Sequence, residues 1–193
     1  MTVLQMRLLQ DPILRQQAKK VGKLPQNMKK FTEDMIETMR AENGVGLAAN
    51  QIGSLLKVAV IQLPDWEEAL VLINPEIVKQ EGEREVEEGC LSIPGYRGLA
   101  KRSVSVRARA IGLDGKVIRI NADADELLAQ VLEHEIDHLT GTLYIDRLVS
   151  PDQLWKIPPV TEDEEENGED GTEAAGDETS PTTEDLGPDD ENQ

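Results

Sequence analysis

His134-Glu-Ile-Asp-His138 is the segment of this 193-residue chain whose residue types and spacing most directly specify chemistry. A four-residue step turns about 400° around an α-helix, so the two imidazoles lie nearly eclipsed and can chelate one ion. Glu135 stands about 100° round from His134, close enough to reach a metal-bound water without being a ligand. Two histidine ligands beside a carboxylate base suit metal-assisted hydrolysis.

A catalytic metal of this kind needs three protein ligands and one open position. In one large protease class the pattern continues HExxHxxGxxH. Here it reads His138-Leu-Thr-Gly141-Thr-Leu-Tyr144, and tyrosine is a poor ligand at neutral pH. Asp146 and Asp152 are available oxygen donors, and either would complete an HExxH zinc endopeptidase. Cys90, in the Gly-flanked turn Glu87-Glu-Gly-Cys-Leu-Ser92, is the softer donor and better suited to a borderline transition metal. It is the only cysteine, and His134 and His138 are the only histidines, and the three can be combined into one ligand set. As a thiolate nucleophile Cys90 would need a base, and both histidines are better used by the metal.

These side chains need elements to position them. The helix carrying the histidines is expected to start near residues 122–125, where acidic side chains favour an N-terminus, and to end at Gly141 as C-cap. Leu127, Val131, His134 and His138 form its core stripe, which points both imidazoles inward. Asp11-Pro12 reads as the start of a short helix through about residue 17. Met28, Phe31, Met35 and Met39 mark a longer helix over about residues 26–41. Between the helices the signals are β. Residues 58–61 and 70–73 are short apolar runs, 103–110 alternate strictly, and Leu113-Asp-Gly-Lys116 turns the chain into a returning strand at 117–120. Residues 151–156 give little more than a short helix before Pro158-Pro159.

Composition divides the chain in two. The formal net charge is −18, but residues 161–193 hold 15 of the 38 acidic residues and no Lys or Arg, leaving 20 basic against 23 acidic residues in 1–160. With Leu186 as the only large apolar residue after 160, the acidic segment cannot offset its ordering entropy and is expected to be disordered. A catalytic domain over 1–157 and an acidic tail over 158–193 follow. The tail would repel phosphates, so no direct nucleic-acid binding is expected. No signal peptide and no apolar run near the length of a membrane span is seen, and a lone cysteine fits a reducing compartment, so a cytoplasmic location without membrane attachment is expected.

Three blocks in order resemble the peptide deformylases: Gly44-Val-Gly-Leu-Ala-Ala-Asn-Gln51, Glu88-Gly-Cys-Leu-Ser92 and His134-Glu-Ile-Asp-His138, with supporting similarity from Asp11-Pro-Ile-Leu-Arg15 through about Arg147. The resemblance implies removal of the formyl group from the N-terminal formyl-methionine of newly synthesised polypeptides, releasing formate. It implies Cys90, His134 and His138 as ligands of one ion, usually Fe(2+), with Zn, Ni or Co as substitutes. Glu135 would carry the proton, and Gln51's amide and the Leu91 backbone N–H would hold the oxyanion. Gly46 would bond the substrate backbone, Val45, Leu127 and Val131 would form an apolar methionine pocket, Arg97 would contact the substrate, and Glu88 with Arg102 would brace the cysteine loop. The fold implied is α+β: mostly antiparallel sheets packed around a central HExxH helix, with N-terminal helices and a disordered acidic C-terminal tail. Partners would be formyl-methionyl nascent polypeptides, with a transient ribosome contact not made through the acidic tail.

Overall fold

Alternation of apolar and polar side chains marks the strands over residues 105–111 and 117–122. The computed structural model describes residues 2–122 and 127–158. One turn of 3-10 helix, Pro12–Arg15, precedes helix α1 (Met28–Ala41). Strands β1 (Gly46–Ala48), β2 (Val58–Ile61), β3 (Leu70–Glu81), β4 (Arg84–Cys90), β5 (Ile93–Arg102), β6 (Ser105–Ile111) and β7 (Val117–Ala122) follow. Helix α2 (Leu127–Thr140) and strand β8 (Leu154–Lys156) come last among the described residues.

Two antiparallel sheets result. One runs in the order β1-β2-β3-β6-β7 and the other β4-β5-β8. The β4–β5 hairpin leaves the first sheet, and β6 returns to pair with β3.

The five-stranded sheet is covered on both faces. Ala59 and Ile61 of β2 pack with Leu72, Val106, Ala108 and Ala110 against Leu128, Leu132 and Leu139 of α2. Val58 and Val60, on the opposite face of the same strand, pack with Ile73 against Met28, Met35 and Met39 of α1. Burial on both faces is why β2 is an unbroken apolar run. Each fully buried Leu, Ile or Met contributes about 1.5–3 kcal/mol of transfer free energy. A third cluster, Leu14, Ile93, Leu143 and Tyr144, joins the smaller sheet to the first 3-10 turn, with Cys90 partly buried against it.

Several sequence expectations need correction. The first helix is a single 3-10 turn, because Gln16 is already extended. The first strand after the helices is β1, within the Gly-rich block, and β3 runs on to Glu81 rather than stopping near residue 73. Residues 151–156 form no helix: Leu154, Trp155 and Lys156 pair with Gly98, Arg97 and Tyr96, so sheet pairing overrides local helix propensity. Leu127 is 40% exposed rather than part of a core stripe, since it sits at the first described turn of α2, beside a cleft. The N-terminus expected near 122–125 falls largely outside the described residues, as does the acidic segment after Pro158. No helix among the described residues is long and apolar enough to cross a membrane.

Candidate metal centre

Helix α2 is buried around most of its circumference, which forces its polar residues to find partners inside the protein. Three of them are carboxylates. Glu133 accepts the Ser103 backbone N–H (2.8 Å), the Ser103 hydroxyl (3.1 Å) and Gln80 Nε2 (2.6 Å). Asp137 accepts from Arg102 and Arg147. Glu135 is different: it is 3% exposed, and its Oε2 has no hydrogen-bond partner. The helix ends where expected, at Gly141 with φ 82°, a left-handed C-cap at which a β-carbon would meet the Arg15 carbonyl oxygen at 2.5 Å.

Cys90 is the last residue of β4, and Leu91 and Ser92 turn the chain into β5. Its Sγ lies 3.2 Å from His138 Nε2. The Ser92 backbone N–H (3.4 Å) and Gln51 Nε2 (3.6 Å) point at the same sulfur. One ligand atom from each of Cys90, His134 and His138 lies within 4.8 Å of the others, the only such group of three among the described residues. Asp146 does not join them; its carboxylate pairs with Arg15 and accepts the Leu143 N–H. Asp152 accepts from the Ser150 hydroxyl.

Cys90 and His134 have partners that orient them, whereas His138 Nδ1 is buried without one. Glu88 Oε2 accepts from His134 Nδ1 at 3.0 Å, which fixes the orientation of the ring. Tyr144 stacks against that ring, with centroids 6.3 Å apart. Gln51 sits in the 3-10 turn Ala49–Ile52; its Oε1 accepts the Ala48 N–H at 2.8 Å, so its amide nitrogen faces Cys90 and Ser92. Glu88 is gripped at both oxygens by Arg102 Nε (2.7 Å) and Nη2 (2.9 Å). This pair is buried, and deleting one member of such a pair costs about 3–5 kcal/mol.

Burial and close charges shift the cluster's groups in opposite directions. Burial pushes Glu135 up to about 7, against the pull of His134, and Glu88 adds to the rise. Burial and the neighbouring His134 push His138 well down, into its neutral, metal-ligating form. Burial works against a charged His134, but its bonds to Cys90 and Glu88 outweigh that and raise it well above the ordinary range. Burial would raise Glu88, yet His134 and Arg102 hold it at about 2.

A cleft of about 370 Å³ opens over the cluster. Val45, Gly46, Leu127, Val131 and Arg97 all line it, as do Gln51, Leu91 and Glu135. Arg97 is exposed and pairs with Glu87 of β4 at 2.5 Å. Gly46 is where no side chain fits: a β-carbon there would stand 2.9 Å from the Val131 side chain and closer still to Glu135.

Sequence reasoning passed over Ser92, Tyr144 as a stacking partner, Asn50, whose amide donates to the His138 carbonyl at 2.6 Å, and the pair Asp137 and Arg147. Asp137 had a usable signal, lying one helical turn beyond His134 on a helix with few exposed positions.

A thiol from a strand end, two imidazoles from one helix and a buried unpaired carboxylate beside them make this the kind of site that metal-dependent hydrolases use. Sequence relatives narrow the class to one family. Residues 3–154 match the family model described as Polypeptide deformylase, and the chain belongs to that family. It is 51% identical over 158 residues to a peptide deformylase of Dehalococcoides mccartyi (strain CBDB1), covering 82% of this chain and 93% of the relative. A peptide deformylase of Thermomicrobium roseum is 43% identical over 169 residues, covering 84% and 93% of the two chains. Among solved structures, a peptide deformylase from Legionella pneumophila superposes with TM-score 0.74 at 40% identity, over 79% of this chain and 89% of that one. One from Synechococcus elongatus, in complex with actinonin, gives TM-score 0.74 at 36% identity, over 78% and 83%.

Proposed function

We propose that Cys90, His134 and His138 hold one divalent ion, ferrous iron in the cell with zinc, nickel or cobalt as substitutes, and that Glu135 is the proton carrier beside it. The reaction is the family's: hydrolytic removal of the formyl group from the N-terminal formyl-methionine of newly made polypeptides. The observation that carries the assignment is the convergence of the three donor atoms within 4.8 Å next to a buried carboxylate with an unpaired oxygen. When bound, the ion supplies an acidified water near neutral pH and polarises the formyl carbonyl.

The chain's own groups do the rest. Glu135 takes a proton from the attacking water and returns it to the departing amine, so the formyl C–N bond breaks and formate leaves. Gln51 Nε2 and the Leu91 backbone N–H donate to the formyl oxygen as negative charge grows on it. β1 is an edge strand, and Val45 and Gly46 border the cleft, so a substrate backbone can add at Gly46 while Val45, Leu127 and Val131 take the methionine side chain. Arg97 stands at the rim for the following backbone. In this reading α2 is the central helix around which both sheets pack, the catalytic region ends at residue 157, and the acidic segment 158–193 takes no part in catalysis. The working partner is the nascent chain, in the cytoplasm, with any ribosome contact brief and made away from that segment.

The test is anaerobic purification with metal analysis, followed by assay of formyl-methionyl peptides beside internal peptide bonds. One metal per chain and release of formate are expected. Cleavage of internal bonds without formate release overturns the reading.

A further inference from the structure

Asp137 lies between the two histidines in sequence yet belongs to neither the cluster nor the cleft. Buried on α2, it accepts Arg102 Nη1 at 2.6 Å and Arg147 through Nε (3.1 Å) and Nη2 (2.8 Å). Arg102 places its other two nitrogens on Glu88, and Glu88 Oε2 also takes His134 Nδ1. Charge therefore alternates without a break from Arg147 through Asp137, Arg102 and Glu88 to the ring of His134.

We propose that Asp137 is a positioning residue for the metal centre, acting through Arg102 and Glu88 on the orientation of His134. This rests on the reading of Cys90, His134 and His138 as ligands. A guanidinium held by one carboxylate can pivot about that pair; a second carboxylate on its free edge removes the pivot. Here the second carboxylate comes from the helix that carries the ligand. His134 and Asp137 are three residues apart on α2, so helix, Asp137, Arg102 and Glu88 close a ring back onto His134. A closed ring fixes an angle that an open chain of bonds would leave free. Arg147 adds an outer grip, and its backbone N–H donates to the carbonyl of Tyr144, the residue stacked on His134. Glu133 makes the contrast. It is buried on the same helix, but its partners Ser103 and Gln80 make no side-chain bond to Arg102, Glu88 or a ligand.

The test compares the full chain with Asp137→Asn and Arg147→Met, each loaded with cobalt(II). Three quantities are read: cobalt affinity by competition with a chelator, the visible cobalt absorption, and the Tm of the metal-free protein. Asp137→Asn is expected to weaken cobalt binding about tenfold or more and to shift the absorption bands, as loss of a partner behind a ligand does. Arg147→Met is expected to move both in the same direction by less. A merely structural Asp137 would lower only the metal-free Tm, and wild-type affinity and bands in a folded Asp137→Asn overturn the proposal. If Asp137→Asn does not fold, Arg147→Met decides, since unchanged bands and affinity there overturn it equally. A wild-type chain that binds no stoichiometric cobalt is a separate outcome, which removes the ligand set itself.

Discussion

Gly46 and Glu135 share one space: a β-carbon at position 46 would collide with Glu135 Oε1. The glycine that opens β1 is therefore fixed by a helix residue 89 positions later, before any substrate is considered. Gly46→Ala must push the carboxylate aside. Misplacing a reacting group by about 1 Å costs on the order of a hundredfold in rate, so kcat should fall by about that much with metal content unchanged. Steady-state kinetics with elemental analysis of the same samples checks it.

Glu135→Gln keeps the shape of the side chain and removes the proposed base. Metal stoichiometry should stay at the wild-type value while kcat drops by about 10²–10⁴. A variant that loses its metal as well would make Glu135 a ligand rather than a proton carrier.

Cys90→Ala should abolish tight metal binding, since the described residues offer the two histidines no substitute third donor of their own. Chelator competition against wild type is the measurement. Normal deformylation with stoichiometric metal in this variant would sink the proposed ligand set.

Away from the site, Glu76 bonds Lys20 Nζ at 2.6 Å and Arg109 Nη2 at 2.8 Å. These bonds hold its carboxyl at about 2, below the ordinary 4.5. The folded value is depressed, so the contribution to stability is full above pH ~4.5 and is lost as pH falls toward ~2. Glu76→Gln should lower Tm at pH 7, with the gap to wild type shrinking between pH 5 and pH 3. Because the side chain is partly exposed, added salt should shrink the gap too. Thermal melts across that range at two ionic strengths test both.

Truncation after Ile157 should leave kcat/KM for formyl-methionyl peptides unchanged. A large fall would assign the acidic segment a part in catalysis that its composition does not suggest.

What the sequence made legible was what repeats within one element. The HExxH spacing, the methionine stripe of α1 and the alternation in β6 are local periodicities, and each gave an element close to its observed place. The β4–β5 hairpin was not legible, because in Arg84–Cys90 only Glu88 is fully buried and the strand shows no apolar alternation. β1 and β8, three residues each, are too short to carry a pattern and exist through pairing with β2 and β5. The same split holds at the site. The histidine pair was readable from one helix, and Cys90 from a shortage of alternatives. Asp137's link to Glu88 was hidden, since it passes through Arg102, 35 positions away. Leu127 was misread because a helical stripe does not tell where a cleft will cut across it.

The donors of the cluster come from two layers. Cys90 ends a strand of the three-stranded sheet, whereas His134 and His138 ride on the helix packed against the five-stranded one. An ion held by all three would thus act as a clasp across a seam, closing a loop of more than forty residues at the cost of a single binding event. Withdrawing it would be felt mechanically, as a β4–β5 hairpin freer to swing from α2 and quicker to exchange its amide hydrogens. The durability of the enzyme in the cell would then depend on its metal supply as much as its rate does.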